Sequence, residues 1–200
     1  MVPFITAWSS ERAPGFAVVV RDGRIAYADE TKRDRDGSGV LWTRKVFSPG
    51  VGVPQFKAVH PLRQRRAMER LLCQVCAKPC DKSAVWMLSQ REYESAEGPW
   101  PAPVMTAHPP LCPGCVERAT RLCPHLRNGY VILRPDRIAP AALTGVLYRP
   151  TPLGLTPTAA TIAYDDPRTR WMRAVQLHVQ LKDYTLVHPR DMNVTSPQKR

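Results

Sequence analysis

Two Cys-x2-Cys pairs constrain this chain more than any other feature of its sequence. Cys73 and Cys76 form the first pair, Cys112 and Cys115 form the second, and residues 77–111 separate them. A two-residue gap lets a tight turn direct both sulfurs at one ion, and Zn²⁺ prefers four such ligands in a tetrahedron. Two pairs complete that set without leaving an open coordination position. We therefore predict a structural zinc site at these four cysteines, with metal-free thiols as the alternative.

The compartment expected for the chain agrees with metal binding. Residues 1–8 carry no basic head and no apolar stretch of signal-peptide length. No run approaches the ~20 apolar residues that a membrane helix needs. The sequence therefore predicts a cytoplasmic protein, whose cysteines stay reduced and serve as metal ligands. The large excess of arginine over lysine is typical of a GC-rich bacterial genome, such as an actinobacterial one.

Predicted elements surround the two cysteine pairs in a definite order. A strand over 84–88 follows the first pair, a return strand over 103–107 comes next, and a short helix over 116–122 follows the second pair. With this order, residues 70–128 resemble treble-clef zinc fingers, which consist of a zinc knuckle, a β-hairpin and a ligand pair at a helix start. The resemblance implies that the first pair supplies the knuckle ligands and the second pair the ligands at the helix start.

Two further cysteines and two histidines lie close to these pairs in the sequence. Cys80, Cys123, His125 and His108 would form a second metal site if the fold brought them together. On a continuous helix Cys123 lies about 16 Å from Cys112, so it joins the first ion only if the chain turns back. The alternative, which we favour, is that the two extra cysteines are buried as apolar thiols.

The rest of the chain favours short elements, because 21 prolines remove backbone donors and restrict φ. We expect an α+β fold in which short β elements and few helices surround the treble-clef zinc module. Its three consecutive parts are a β-rich segment over 1–60, the zinc module with its flanking helices over 61–128, and a strand and helix segment over 129–200. We expect these parts to form one compact unit.

Three elements outside the cysteine region are also predicted. A hairpin over 16–27 has Asp-Gly at its tip, and a helix over 61–72 begins at a proline. The stretch 167–182 is ambiguous, since its apolar residues alternate as in a strand but also fit helical spacing. Because Asp166 and Pro167 form a helix-start signal, we assign this stretch to a helix.

The charge of the chain points to a partner of opposite sign. Its net charge is +12, which attracts polyanions such as nucleic acid. Arginines lie on both sides of the cysteines, and we predict that they form a basic rim that binds nucleic acid. These residues are Arg63, Arg66, Arg70, Arg118, Arg121 and Arg127. The alternative is that they only solvate the surface of a protein-interaction adaptor.

The sequence lacks the motifs of common zinc enzymes. The sequence contains neither the His-x-Glu motif of zinc deaminases nor the His-Glu-x2-His motif of zinc peptidases. His108, just before the second pair, leaves a treble-clef nuclease of the His-Asn-His type as a third hypothesis. We therefore predict a non-catalytic zinc protein that is nucleic-acid-associated or regulatory, with a zinc-stabilised interaction adaptor as the second hypothesis.

Overall fold

A computed structural model describes residues 1–96 and 102–193, and in it the chain forms two compact units. Unit 1 comprises Met1–Arg65 and Pro140–Val179, and unit 2 comprises Arg66–Ala139 and Gln180–Arg200. Each unit is thus assembled from two separated stretches, whereas the sequence suggested three consecutive segments. None of the described helices is both long enough and apolar enough to cross a membrane.

The described elements are short helices and many strands, which confirms the predicted α+β class. The helices are α1 (Pro61–Glu69), α2 (Gln90–Glu94) and α3 (Pro113–Leu122). The strands are β1 (Thr6–Trp8), β2 (Val18–Arg21), β3 (Arg24–Tyr27), β4 (Leu41–Trp42), β5 (Pro54–Val59), β6 (Trp86–Ser89), β7 (Val104–Thr106), β8 (Tyr130–Thr151), β9 (Gly154–Ala163) and β10 (Met172–Leu186).

Unit 1 contains the predicted hairpin, formed by the antiparallel strands β2 and β3. Asp22 and Gly23 at its tip both have positive φ, 50° and 70°, as the tight hairpin turns that match strand twist require. The hairpin contributes Ile25 and Tyr27 to a core that they share with Leu41 of β4. Side chains packed against this core are Phe16, Val18, Tyr148, Leu155 and Trp171.

The prediction of a helix over 167–182 is wrong. Residues Pro167–Trp171 form a single 3-10 turn, which the Asp166 carboxylate caps by accepting the Arg168 N–H, and β10 follows. The capping signal was therefore real, but it starts only one turn. The buried side chains of the stretch form two runs that each alternate as in a strand, Met172 and Ala174 and then Leu177, Val179 and Leu181.

Tertiary partners explain why this stretch is extended. In unit 1, β4 pairs in parallel with β10 at Ala174, and the buried side chain of Gln64 binds the backbone of Leu177. The Gln64 amide donates to the Leu177 carbonyl at 2.7 Å and accepts the Leu177 N–H at 3.0 Å. These bonds satisfy backbone groups of an extended chain, so they favour the strand over the locally encoded helix.

Helix α1 confirms the predicted helix at 61–72 but changes the role of its first arginine. Arg63 was expected on an exposed basic face, whereas its side chain is fully buried in unit 1. It donates to the two carboxylate oxygens of Glu11 at 2.5 and 2.6 Å and to the Thr6 carbonyl at 2.7 Å. A guanidinium enclosed in this way cannot reach a phosphate outside the protein.

Glu11 accepts further hydrogen bonds from the backbone. Besides Arg63, it accepts the backbone N–H groups of Trp8 at 2.8 Å and Ser48 at 3.2 Å. Burial alone would raise the pKa of Glu11, but the hydrogen bonds from Arg63 and Trp8 and the neighbouring positive charges outweigh it and lower the pKa. The Glu11 carboxylate is therefore charged at neutral pH, opposite the Arg63 guanidinium.

In unit 2 the predicted strands at 84–88 and 103–107 are present as β6 and β7. They do not form the expected hairpin, because β6 pairs antiparallel with β8 and β7 pairs with β10. Trp86 of β6, which is fully buried, lies opposite Leu133 of β8. The hairpin that the treble-clef resemblance implies is therefore not formed, because both strands pair with strands from later in the chain.

Removing one member of the buried ion pair tests its role in unit 1. We expect Glu11→Ala to lower the free energy of unfolding by about 3–5 kcal/mol, because Arg63 is left buried without its carboxylate. The matched control is Glu117→Ala, which breaks the exposed pair with Arg121 and costs at most about 1 kcal/mol. Urea denaturation measures both, and a loss below about 1 kcal/mol for Glu11→Ala would contradict the assignment.

Candidate metal centre

The first cysteine pair lies in a tight backbone turn of unit 2. The Cys73 N–H donates to the Lys78 carbonyl at 2.8 Å, and the Ala77 N–H donates to the Cys73 carbonyl at 2.9 Å. The Cys80 N–H then donates to the Leu71 carbonyl at 2.9 Å and closes the turn. This ladder points the two sulfurs of the pair in one direction, as the predicted knuckle requires.

The second pair lies at the start of α3, as predicted. Cys112 is the N-cap residue, with extended φ and ψ of −79° and 153°, and Pro113 occupies the first turn. Cys115 also lies in that turn, where its N–H donates to the Cys112 carbonyl at 2.9 Å. The positive end of the helix dipole and the free amides of the first turn favour thiolates at both positions.

Backbone hydrogen bonds connect the two pairs directly. The Gln74 N–H, inside the first pair, donates to the carbonyl of Pro110, two residues before the second pair, at 2.9 Å. Leu111 and Val85 exchange two further backbone bonds, at 2.8 and 3.1 Å. No motif in the sequence predicts this short ladder, which replaces the expected hairpin in aligning the second pair with the first.

The four sulfurs converge on one point. The Sγ atoms of Cys73, Cys76, Cys112 and Cys115 all lie within 4.8 Å of one another, and the Cys76–Cys112 separation is 3.7 Å. Tetrahedral zinc with Zn–S bonds of about 2.3 Å places its sulfurs about 3.8 Å apart. Cys73 and Cys115 are buried, and the other two are half-buried. The predicted four-cysteine group is confirmed as a site that could hold a metal ion.

The four thiols of the group influence one another's ionisation. A hydrogen bond from the Cys80 thiol lowers the pKa of Cys73 to about 4. Burial raises the pKa of Cys112 and Cys115, and the negative charge of Cys73 raises them further. One thiolate thus forms readily and opposes ionisation of its neighbours. A divalent cation at the centre reverses that opposition, because it attracts all four sulfurs together.

The residues predicted for a second metal site are not brought together. Within residues 1–96 and 102–193, no group of three or more His, Cys, Asp or Glu side chains converges besides the four cysteines. Cys80 is buried behind Cys73, and Cys123 is half-buried at the C-terminal end of α3. His125 is exposed in a 3-10 turn, and His108 lies 3.5 Å from the Glu92 carboxylate.

The predicted basic residues differ widely in exposure. Arg63 is buried, as described above, and Arg66 is half-buried. The exposed ones are Arg70, Arg118, Arg121 and Arg127, all in unit 2. Arg121 pairs with Glu117 one helical turn away on α3. At least one of the six arginines predicted for the basic rim, Arg63, is therefore not on the surface.

The chain matches no protein-family model, no curated protein and no solved structure. The arrangement of its own side chains is therefore the basis for the functional argument.

Substitution of single cysteines tests the site. We expect the purified chain to hold one zinc ion, and Cys112→Ser to lose it and to unfold unit 2, because zinc at such sites contributes on the order of 10 kcal/mol to folding. Cys123→Ser, outside the group, is the control and keeps the ion. Atomic emission and circular dichroism give the two readouts. Equal metal content in both variants would show that Cys112 is not a ligand.

The knuckle also carries a strained residue, whose replacement makes a second prediction. Ala77 has φ of 63°, a left-handed conformation that glycine adopts without steric cost. We expect Ala77→Gly to raise the free energy of unfolding by about 0.5–1 kcal/mol in the metal-loaded protein. Ala119→Gly, within α3, is the opposite control and lowers it by about 1 kcal/mol. Chemical denaturation measures both, and destabilisation by Ala77→Gly would contradict the strain argument.

Proposed function

We propose that this chain is a zinc-binding, non-catalytic protein whose four-cysteine site is structural and whose zinc-bearing unit binds nucleic acid. The convergence of the four sulfurs is the observation that carries the proposal. Four thiolates select zinc or iron over hard cations such as Mg²⁺. A complete set of four protein ligands leaves no position for a substrate or a reactive water, which is typical of structural zinc.

Two parts of the zinc module match the plan of a treble-clef finger. A knuckle and a ligand pair at a helix start both support a divergent treble clef over residues 70–128, in which β8 and β10 provide the strand partners. All six cysteines are free of disulfides, which supports a reducing compartment such as the cytoplasm.

Nucleic acid is the proposed partner because exposed arginines lie on the zinc-bearing unit. Arg118 and Arg121 line a shallow groove of about 380 Å³ along α3, together with Gly114, Glu117 and Leu122. Arg127 is exposed just after that helix. Arginine binds phosphate oxygens through a planar fork of donors, and the net charge of +12 adds long-range attraction.

A protein-interaction adaptor is the second candidate, and one observation in unit 1 favours it. Phe47, Val51, Val53 and Phe56 are each more than half exposed, and they lie within ten residues of one another in the sequence. Large apolar side chains exposed in such number often mark a surface that another protein covers. Capture of a specific protein, independent of nucleic acid, would favour this function over the first.

Fluorescence anisotropy with labelled DNA and RNA tests the nucleic-acid proposal. We expect binding that weakens steeply between 50 and 200 mM salt, because phosphate contacts release counterions. The triple variant Arg118→Gln, Arg121→Gln, Arg127→Gln should weaken binding at least about tenfold and reduce the slope of log K against log salt by about 2–3.

The control carries the same change of charge on unit 1. It combines Arg24→Gln, Lys32→Gln and Lys57→Gln, all at exposed positions, and we expect it to bind within about twofold of the unmodified chain. If the two triple variants lose affinity equally, the attraction is diffuse and the α3 surface is not the site. If the unmodified chain binds neither DNA nor RNA at low salt, the proposed partner is wrong.

A further inference from the structure

Residues 46–56 expose an unusual number of large apolar side chains on unit 1. We name them the apolar loop, which follows β4 and runs into the first residues of β5. Of the thirteen exposed large apolar residues in the described chain, five lie in this loop, each 43–68% exposed. They are Val46, Phe47, Val51, Val53 and Phe56. Apolar surface concentrated in this way often marks a binding site.

A hydrogen-bonded turn at the tip of the apolar loop fixes its shape. The Val51 N–H donates to the Ser48 carbonyl at 3.3 Å, with Pro49 and Gly50 between them. The φ of Gly50 is 84°, which is typical of a type II turn. At Gly52, whose φ is 82°, a Cβ atom would lie 2.3 Å from a side-chain oxygen of residue 9. The backbone is therefore pressed against the protein while the apolar side chains face outward.

The backbone of the apolar loop is bonded to the protein rather than left to water. The Val53 N–H donates to the Ser9 hydroxyl at 2.9 Å, and the Val53 carbonyl accepts the Ser9 N–H at 2.9 Å. The Ser10 hydroxyl donates to the Val51 carbonyl at 2.8 Å. An unbonded peptide group is costly to move out of water. These internal bonds therefore lower the cost of placing the loop in a less polar environment.

Exposed carboxylates are absent from the two stretches that form this surface. Residues 37–68 contain no aspartate or glutamate. Residues 9–12, which bind the backbone of the loop, contain one, Glu11, and it is buried and paired with Arg63. An anionic partner that approaches the apolar loop therefore meets no repulsion from these stretches.

Three basic side chains lie at the margins of the apolar loop, and none lies within it. Lys45 directly precedes the loop and Lys57 directly follows it. The Arg12 carbonyl accepts the Val46 N–H at 3.0 Å, which places a third basic residue beside the loop. Arg12 and Lys57 are exposed, and Lys45 is half-buried. An apolar centre with cationic margins matches an anionic lipid surface, in which charged headgroups cover hydrocarbon.

We propose that the apolar loop inserts into the surface of a membrane that contains anionic lipid, with Arg12, Lys45 and Lys57 at the level of the headgroups. Three of its five large side chains are valines, which offer hydrocarbon but no ring on which a base could stack, so lipid fits better than nucleic acid. Insertion at this depth needs no spanning helix. The second candidate function assigns the same surface to a protein, but its cationic margins favour anionic lipid.

The test is co-sedimentation of the full-length, zinc-loaded chain with vesicles of phosphatidylcholine, alone or with one third phosphatidylglycerol. We expect at least about tenfold tighter binding to the mixed vesicles. Val53→Ser with Phe56→Ser changes two residues that are each 68% exposed. This pair should weaken binding at least about tenfold without changing its salt dependence. Arg12→Gln with Lys57→Gln should weaken it at least about tenfold and reduce the salt dependence.

Matched controls make the same changes elsewhere on unit 1. Leu153→Ser with Val20→Ser replaces two exposed apolar residues, and Arg24→Gln with Lys32→Gln replaces two exposed cations. Both controls should bind within about twofold of the unmodified chain. Thermal unfolding establishes that each variant is folded. Equal losses in a loop variant and its control would overturn the proposal, and so would failure of the unmodified chain to bind the mixed vesicles.

Two further outcomes would assign the apolar loop to a different partner and overturn the proposal. The first is a concentration-dependent dimer, formed by a chain that ignores vesicles and abolished by Val53→Ser with Phe56→Ser, which would show that a second copy covers the loop. The second is loss of oligonucleotide binding in that same variant. The nucleic-acid function proposed for unit 2 is measured separately by anisotropy, so failure of vesicle binding would leave it standing.

Discussion

Unit 2 is built around four cysteine sulfurs that could hold one metal ion. Thiolates within 4.8 Å of one another are costly to bury, and two of these cysteines are buried. Short backbone ladders from Gln74 to Pro110 and from Val85 to Leu111 bring the pairs together, but they do not remove that cost. A divalent ion bound among the sulfurs would convert the repulsion into attraction, and metal binding and folding of this unit would then be one equilibrium.

Unit 1 contains buried polar side chains that bind one another and the backbone. The Arg63–Glu11 pair also binds the Thr6 carbonyl, and the Gln64 amide binds the backbone of Leu177, while the Nε of Arg63 has no hydrogen-bond partner within the described chain. Apolar contacts tolerate small shifts of one element against another, whereas these hydrogen bonds form only when the two elements are in one relative position. They therefore specify how α1 is placed against the first strands of the same unit and against Leu177.

The sequence predicts those features that local chemistry decides. Cysteine spacing and the position of Pro113 determine the knuckle and the helix start, because ligand geometry and capping act within a few residues. It does not predict features decided by distant partners. Arg63 has the spacing of an exposed helix face, but its carboxylate lies 52 residues earlier in the chain. The stretch from 172 onwards has helical spacing as well as alternation, and its pairing with β4 and other distant strands decides between them.

The same distinction governs how the positive charge of the chain should be interpreted. Arg35, Arg44 and Arg63 are bound by carboxylates inside unit 1, so each contributes little field outside the protein. The excess of basic residues remains, because 29 cations face only 17 acids. Most of the field outside the protein therefore comes from the other basic side chains, among them the exposed Arg118 and Arg127 of unit 2. Composition gives the sign of the net charge, but the internal ion pairs decide which side chains can attract an anion.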